Sequence, residues 1–207
     1  KDVTPEKISR LMVGRDVVLQ VQKDVAKPTD EILRVRDLHY VNDWGKKMLN
    51  GVSLSVRKGE ILGIAGVEGN GQKELVDMLF GLNKPNEGTI TMKGDNIIGL
   101  NQRQLRERHI SLVPEDRMLF GIAANASIEE NIISDRADSK KMNKGLMFNM
   151  KNMHEETDAL IKEYKVLCKS RDQKVGMLSG GNIQKVVVAR EFSNQPDLII
   201  ADQPTRG

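Results

Sequence analysis

The stretch Gly63-Ile64-Ala65-Gly66-Val67-Glu68-Gly69-Asn70-Gly71-Gln72-Lys73 decides the fold. Ile61-Leu62-Gly63-Ile64-Ala65 is a continuous apolar run, the pattern of a strand buried on both faces. Beyond the glycines, Leu75, Met78 and Leu79 recur at helical spacing until Gly81 stops them, which predicts a helix over 72–80. Glycines between a strand and a helix let main-chain N–H groups turn inward around an anion at the helix N-terminus. No G-x-G-x-x-G spacing occurs in the loop, so a dinucleotide fingerprint is excluded. The frame that fits is G-x-x-x-x-G, from Gly66 to Gly71, followed by Gln72 and Lys73. Taken alone, the loop is also compatible with a tight turn that holds no ligand.

Working outward, residues 31–36 and 52–56 alternate as strands, and Lys58-Gly59-Glu60 makes a turn. Residues 89–92 read as a strand, 102–109 as a helix and 110–113 as a strand. From 114 to 177 the strand signal fades. Helix-like stretches at 127–133 and 154–168, joined by a Met- and Lys-rich connection, read as a helical insertion. A helix at 182–192 and a buried strand at 198–201 follow. Residues 1–29 look like the tail of another unit, with a helix start at Thr4-Pro5-Glu6, a short strand at 16–23 and a linker containing Pro28. The expected division is a tail at 1–29, a first core part at 30–113, a helical subdomain at 114–177 and a return to the core at 178–207.

Two further stretches complete the pattern. Leu178-Ser179-Gly180-Gly181-Asn182 opens the helix that carries Gln184, Lys185 and Arg190. Leu198-Ile199-Ile200-Ala201-Asp202 is an apolar strand ending in a carboxylate, followed by Gln203-Pro204-Thr205. Loop, glycine-rich helix start and acid-tipped strand, in this order and split by a helical insertion, resemble the ATP-binding-cassette (ABC) superfamily with its Walker A loop, signature motif and Walker B strand. The resemblance covers about residues 31–207. It implies an α/β fold: a P-loop NTPase-like core with an antiparallel β element and an inserted helical subdomain, truncated after the Walker B strand.

The wording narrows the resemblance. Gly66-Val67-Glu68-Gly69-Asn70-Gly71-Gln72, Val113-Pro114-Glu115-Asp116-Arg117 and Gln203-Pro204-Thr205-Arg206-Gly207 look like the second, C-terminal cassette of double-cassette ATPase subunits that serve simple-sugar and nucleoside importers. The loop wording leans toward the nucleoside branch. Residues 1–29 then resemble the end of a first cassette and its linker. ATP and Mg²⁺ are the implied ligands. The implied partners are an N-terminal cassette of the same polypeptide, membrane permease subunits and, indirectly, a solute-binding protein. The implied place is the cytoplasmic side of the membrane.

Departures from the family pattern cluster in one site. A working Walker A loop ends in Lys then Ser or Thr, the Lys on the β- and γ-phosphates and the hydroxyl on Mg²⁺. Here those positions hold Gln72 and Lys73. One residue along a helix is a rotation of about 100°, so Lys73 cannot replace its neighbour, and its ammonium would oppose a divalent metal. Glu68 and Glu74 add negative charge close by. Asp202 keeps the Walker B position and can help hold Mg²⁺ through water. Gln203, where the family has a catalytic Glu, is an amide and accepts no proton from an attacking water, and the family's loop Gln corresponds to Glu115. The expectation is weak nucleotide binding, poor metal dependence and no hydrolysis at this site.

The signature is intact. In the superfamily, two cassettes pack head to tail and each signature closes on the ATP held by the other. Ser179 and the N–H groups of Gly180 and Gly181 stand at a helix N-terminus, where a γ-phosphate is favoured. The expected division of labour gives this chain's signature to its partner while its own loop stays idle.

The remaining residues bound the function. With 32 Lys+Arg against 29 Asp+Glu over 207 residues, a net charge of +3 gives no reason to expect nucleic acid. The basic run at 103–109 is broken by Glu107 and reads as a solvated helix face. One cysteine, Cys168, excludes an internal disulfide and reads as a small buried hydrophobe. No apolar run approaches the roughly 20 residues that span a bilayer. His39, His109 and His154 lack ligand spacing, so no metal beyond Mg²⁺ is expected. Tyr40 and Trp44 are the candidates for stacking on adenine, with plain packing an equal alternative. Met142, Met147, Met150 and Met153 either fill the core or cushion a groove for the permease, and core filling is favoured. Two rival readings stand apart: a soluble cassette ATPase of the translation or DNA-repair type, and a scaffold cassette that never meets nucleotide.

Overall fold

The computed structural model describes residues 25–145 and 147–205. The expected helix start at Thr4 and strand at 16–23 lie outside them. β1 (Glu31–Val41) and β2 (Lys47–Arg57) form an antiparallel hairpin. Its turn is closed by the Asn42 side chain, which accepts from the N–H groups of Trp44 and Lys46 at 3.1 and 2.9 Å. After α1 (Gln72–Leu79), β3 (Glu87–Met92) pairs with the other side of β1 and β4 (Asp95–Asn96) completes a four-stranded sheet in the order β2-β1-β3-β4.

The sheet's inner face packs Leu33, Val35, Leu38, Ile90 and Met92 against Leu75, Met78 and Leu79 of α1. α2 (Gln102–Glu107) adds Leu105 and is held by a reciprocal capping box between Asn101 and Gln104. β5 (Ile110–Val113) is buried at all four positions. It pairs in parallel with β8 (Leu198–Ala201), from Ile110 opposite Leu198 to Val113 opposite Ala201.

A second apolar cluster builds the helical lobe. α3 (Ile128–Ile133) starts at a Ser127–Glu130 capping box and buries Ile128, Ile132 and Ile133. α4 (Met150–Glu163) contributes Met153 and Leu160, and α5 (Gly180–Ser193) contributes Ile183, Val186 and Ala189. The helical cluster therefore extends past the expected boundary at Met177. Leu198 and Ile200 mark the return to the first cluster.

The structure differs from the sequence expectations at several places. Residues 61–65 form no strand and join no sheet, and Ile61 is 83% exposed. A buried strand needs neighbours for its N–H and C=O groups; among the described residues, β5 and β8 pair only with each other. The second helix of the insertion begins at Met150, earlier than expected, and ends at Glu163. The Met- and Lys-rich connection contains a small hairpin, β6 (Asn143–Lys144) with β7 (Met147–Phe148). Met142 and Met153 are core residues, as favoured, while Met147 and Met150 are exposed and do not fill the core. A π-helical turn at Arg117–Gly121 had no sequence signal; the Asp116 carboxylate accepts from Met118 N and Leu119 N at 2.9 and 3.0 Å and holds it in place. The basic run is not uniformly solvated: Arg106 turns inward onto a buried carboxylate. Cys168 is half-buried against the helical cluster, and burial pushes its thiol pKa up.

Candidate nucleotide site

The loop turns on two glycines. Gly69 (φ 84°) and Gly71 (φ 99°) both adopt the left-handed conformation that other residues avoid. Gly71 caps α1, and a Cβ there would lie 2.4 Å from the main-chain oxygen of Met48. Glu68, Gly69 and Asn70 form the exposed rim. Gln72 does not point outward. Its Nε2 donates to the Val67 carbonyl at 3.3 Å, and a Cβ on Gly66 would come within 1.9 Å of that nitrogen. The carboxamide thus lies within the turn of the loop. Lys73 runs along α1 and pairs with Asp77 at 2.7 Å. Glu74 stands beside it in the first turn.

β8 delivers Asp202 to this neighbourhood. The Asp202 N–H donates to Val113 O at 2.9 Å, extending the β5–β8 ladder by one residue. Burial raises the Asp202 pKa above the ordinary carboxylate value; Lys73 opposes the shift and Asp77 reinforces it. Gln203, next in the chain, is exposed and has φ 44°. Glu115 is half-buried, two residues beyond the end of β5. The parallel pairing of β5 with β8 therefore places Glu115 and Asp202 beyond neighbouring strand ends, and the charges of Lys73 and Asp77 on α1 act on Asp202.

The signature turn lies at the N-terminus of α5. Ser179 is the N-cap, but its hydroxyl accepts from the Asn182 side chain at 3.0 Å and from no helix N–H. The Asn182 carbonyl oxygen in turn accepts from Leu167 N at 2.9 Å, which anchors the turn to the helical lobe. Leu178 is buried there, whereas Ser179 and Gly181 are exposed. Gly180 backs onto Arg117, to which the sequence assigned no site role: a Cβ on it would meet Arg117 Nη2 at 2.8 Å. Gln184 Nε2 donates to Pro204 O at 3.2 Å, linking the signature helix to the segment beyond Asp202. Of the aromatic candidates, Tyr40 packs against the core and Trp44, on the hairpin turn, is 91% exposed.

A family model described as ABC transporter matches residues 49–206. The chain belongs to that family. This ABC cassette is 38% identical over 207 residues to the guanosine import ATP-binding protein NupO of Bacillus subtilis. It is 36% identical over 208 residues to a glucose import ATP-binding protein of Haloferax volcanii, and 35% identical over 205 residues to the galactose/methyl galactoside import ATP-binding protein MglA of Escherichia coli. Those alignments cover 99–100% of this cassette but only 38–41% of the relatives, so the chain spans about two-fifths of their length. Among solved structures, a dimeric cassette in a post-hydrolysis state with ADP and Pi aligns with a TM-score of 0.70 at 23% identity, covering 84% of this chain and 75% of that one. A nucleotide-free cassette from an ABC transporter aligns with a TM-score of 0.65 at 26% identity, over 86% and 71%. The mixed α/β cassette fold is thereby established.

Proposed function

We propose that this chain is the second cassette of a double-cassette ATPase subunit that powers import of a nucleoside or simple sugar, and that it acts chiefly by lending its signature turn to the first cassette. The observation that carries this is a contrast within one chain. Ser179 and Gly181 are exposed at the N-terminus of α5, while the cassette's own loop is closed by Gln72. The phosphate-binding Lys of a P-loop is absent, and Lys73 is engaged with Asp77 instead. Gln203 offers no base for the attacking water.

The altered site does not fit Mg²⁺ well. An ammonium stands at the position that would supply the hydroxyl ligand, and it is already paired with Asp77. Nucleotide at this site is therefore weakly held and poorly coupled to metal.

The names of the relatives support the transported class. In this reading, a permease subunit supplies the pathway for the solute and the cassette sits against it on the cytoplasmic side; among the described residues, no helix is long and apolar enough to cross a membrane.

The test is mutational, in the full-length polypeptide. Ser179→Glu abolishes ATPase activity and Gln72→Ala changes it little; the reverse ranking would overturn the proposal. Co-purification of a membrane permease from detergent extract separates it from a soluble cassette, which would bring down ribosomes or DNA. Cross-linking of azido-ATP to residues 178–182 excludes a scaffold that never meets nucleotide.

A further inference from the structure

The basic run at 103–109 holds one side chain that the proposed chemistry has not used. Arg106 lies on α2, in the core lobe, and its guanidinium grips Glu191 of α5 with both ends of the fork: Nη1 to Oε2 at 2.8 Å and Nη2 to Oε1 at 2.9 Å. Glu191 is completely buried, 0% exposed, and is the only acidic residue of α5. Asp135, just beyond α3, approaches the same guanidinium at 3.6 Å. The opposite side of Arg106 faces the Phe80 ring, 5.5 Å from its centroid, at the C-terminal end of α1. Burial acts to lower the Arg106 pKa, but hydrogen bonding and charge from Glu191, with Asp135 behind, hold it above its ordinary value.

One side chain therefore touches the end of the loop helix, the signature helix and the helical arm. The bonds around it reinforce the grip. Arg190 Nε donates to Glu191 Oε1 at 2.9 Å, Ser111 Oγ of β5 donates to Glu191 O at 2.9 Å, and Arg136 Nη2 donates to Arg190 O at 2.9 Å. Asn194 binds Asp135. Every one of these bonds fixes the C-terminal end of α5. Its other end bears the signature turn.

We propose that Arg106 is a positioning residue for ATP hydrolysis: by fixing Glu191 it sets the direction of α5, and so the place at which Ser179 is presented. About 17 Å of helix separates Glu191 from Gly180 at 1.5 Å per residue, so a shift at one end reaches the other almost undiminished in a straight helix. A displacement of about 1 Å at a group that meets reacting phosphate can cost on the order of a hundredfold in rate. A bidentate fork suits the task because it defines an orientation, which a lysine ammonium cannot do.

The proposal rests on the reading that Ser179 serves the partner cassette, and the experiment separates the two. In the full-length polypeptide, Ser179→Glu tests that reading; retained activity would overturn it whatever Arg106 does. For Arg106, the informative variant is Arg106→Met with Glu191→Leu, because replacing a buried ion pair by apolar residues of similar volume generally preserves folding. The expected result is a melting temperature at or above that of the parent, a kcat lowered tenfold or more, and a KM for ATP within about twofold. Arg106→Lys, which keeps the charge and loses the fork, is expected to fold and to remain slow. Parental kcat in either variant would overturn the proposal. Loss of folding in the double variant would do so as well, since the pair would then be a plain structural support.

Discussion

The Nε2 of Gln72 lies 3.3 Å from the carbonyl oxygen of Val67, so this side chain closes the loop on itself. An anion entering the loop must displace that amide and gains no charge in return. Exchanging both residues, Gln72→Lys with Lys73→Ser, restores an ammonium and a hydroxyl at the positions a P-loop uses. A charge-assisted hydrogen bond contributes about 1.5–3 kcal/mol. Titration calorimetry on the isolated chain should then show ATP binding at least tenfold tighter and newly dependent on Mg²⁺. Equal affinities for parent and double variant would mean that the loop is not limited by these side chains.

Gly71 is a separate constraint on the same turn. Its φ of 99° and the Met48 oxygen 2.4 Å from a would-be Cβ oppose any side chain there. Left-handed strain alone costs about 1–2 kcal/mol for a residue with a Cβ, and the obstacle is main chain, which cannot swing aside. Gly71→Ala is expected to lower unfolding stability by about 2–4 kcal/mol, the contact adding to the strain. Urea denaturation measures it, and a loss under 1 kcal/mol would show that the hairpin yields.

The features legible in the sequence were those whose chemistry is local. Gly69 and Gly71 had to be glycine, and Ser179 before two glycines reads as a helix start whatever surrounds it. The residue types at Gln72, Lys73 and Gln203 were equally plain to read, and the loss of function they imply belongs to the proposal. Long-range facts were hidden. Arg106 looked like one more cation on a solvated face, since its partner Glu191 lies on a helix far along the chain. Residues 61–65 have the composition of a buried strand, yet a strand is buried by its neighbours and not by its own side chains. The π-helical turn depends on one Asp116 carboxylate reaching two N–H groups, which periodicity does not register.

Acid should loosen the join between the antiparallel sheet and the β5–β8 pair. Lys93, in the turn between β3 and β4, bonds Asp197 at 2.6 Å just before β8. That hydrogen bond, opposed by burial, holds the Asp197 pKa below its reference value of 3.8. A carboxyl with a lowered folded pKa stabilises the fold above the unfolded value, and the contribution disappears as pH falls through the folded value. Asp197→Asn is expected to cost about 0.2–1 kcal/mol at pH 7, as for a partly exposed pair. The gap between variant and parent should close once pH drops well below 3.8. Denaturation at pH 7 and at pH 2 checks this, and a gap that persists in acid would assign the effect to packing.

The apolar segment ahead of the loop carries the last expectation. Ile61, Leu62, Ile64 and Val67 are all exposed, and the backbone from 61 to 65 has no ladder partner among the described residues. Contiguous exposed apolar side chains favour association, and backbone outside any ladder offers hydrogen bonds to a second chain. The isolated chain should therefore self-associate as its concentration rises through the micromolar range. Placing charge on the segment, Ile61→Lys with Ile64→Lys, should suppress that association, because pairing would then bury unpaired ammonium groups. Sedimentation velocity distinguishes the cases. A parent chain that stays monodisperse at monomer mass over the whole range would show that the segment is sheltered in solution, and would remove the reason for the lysine variant to behave differently.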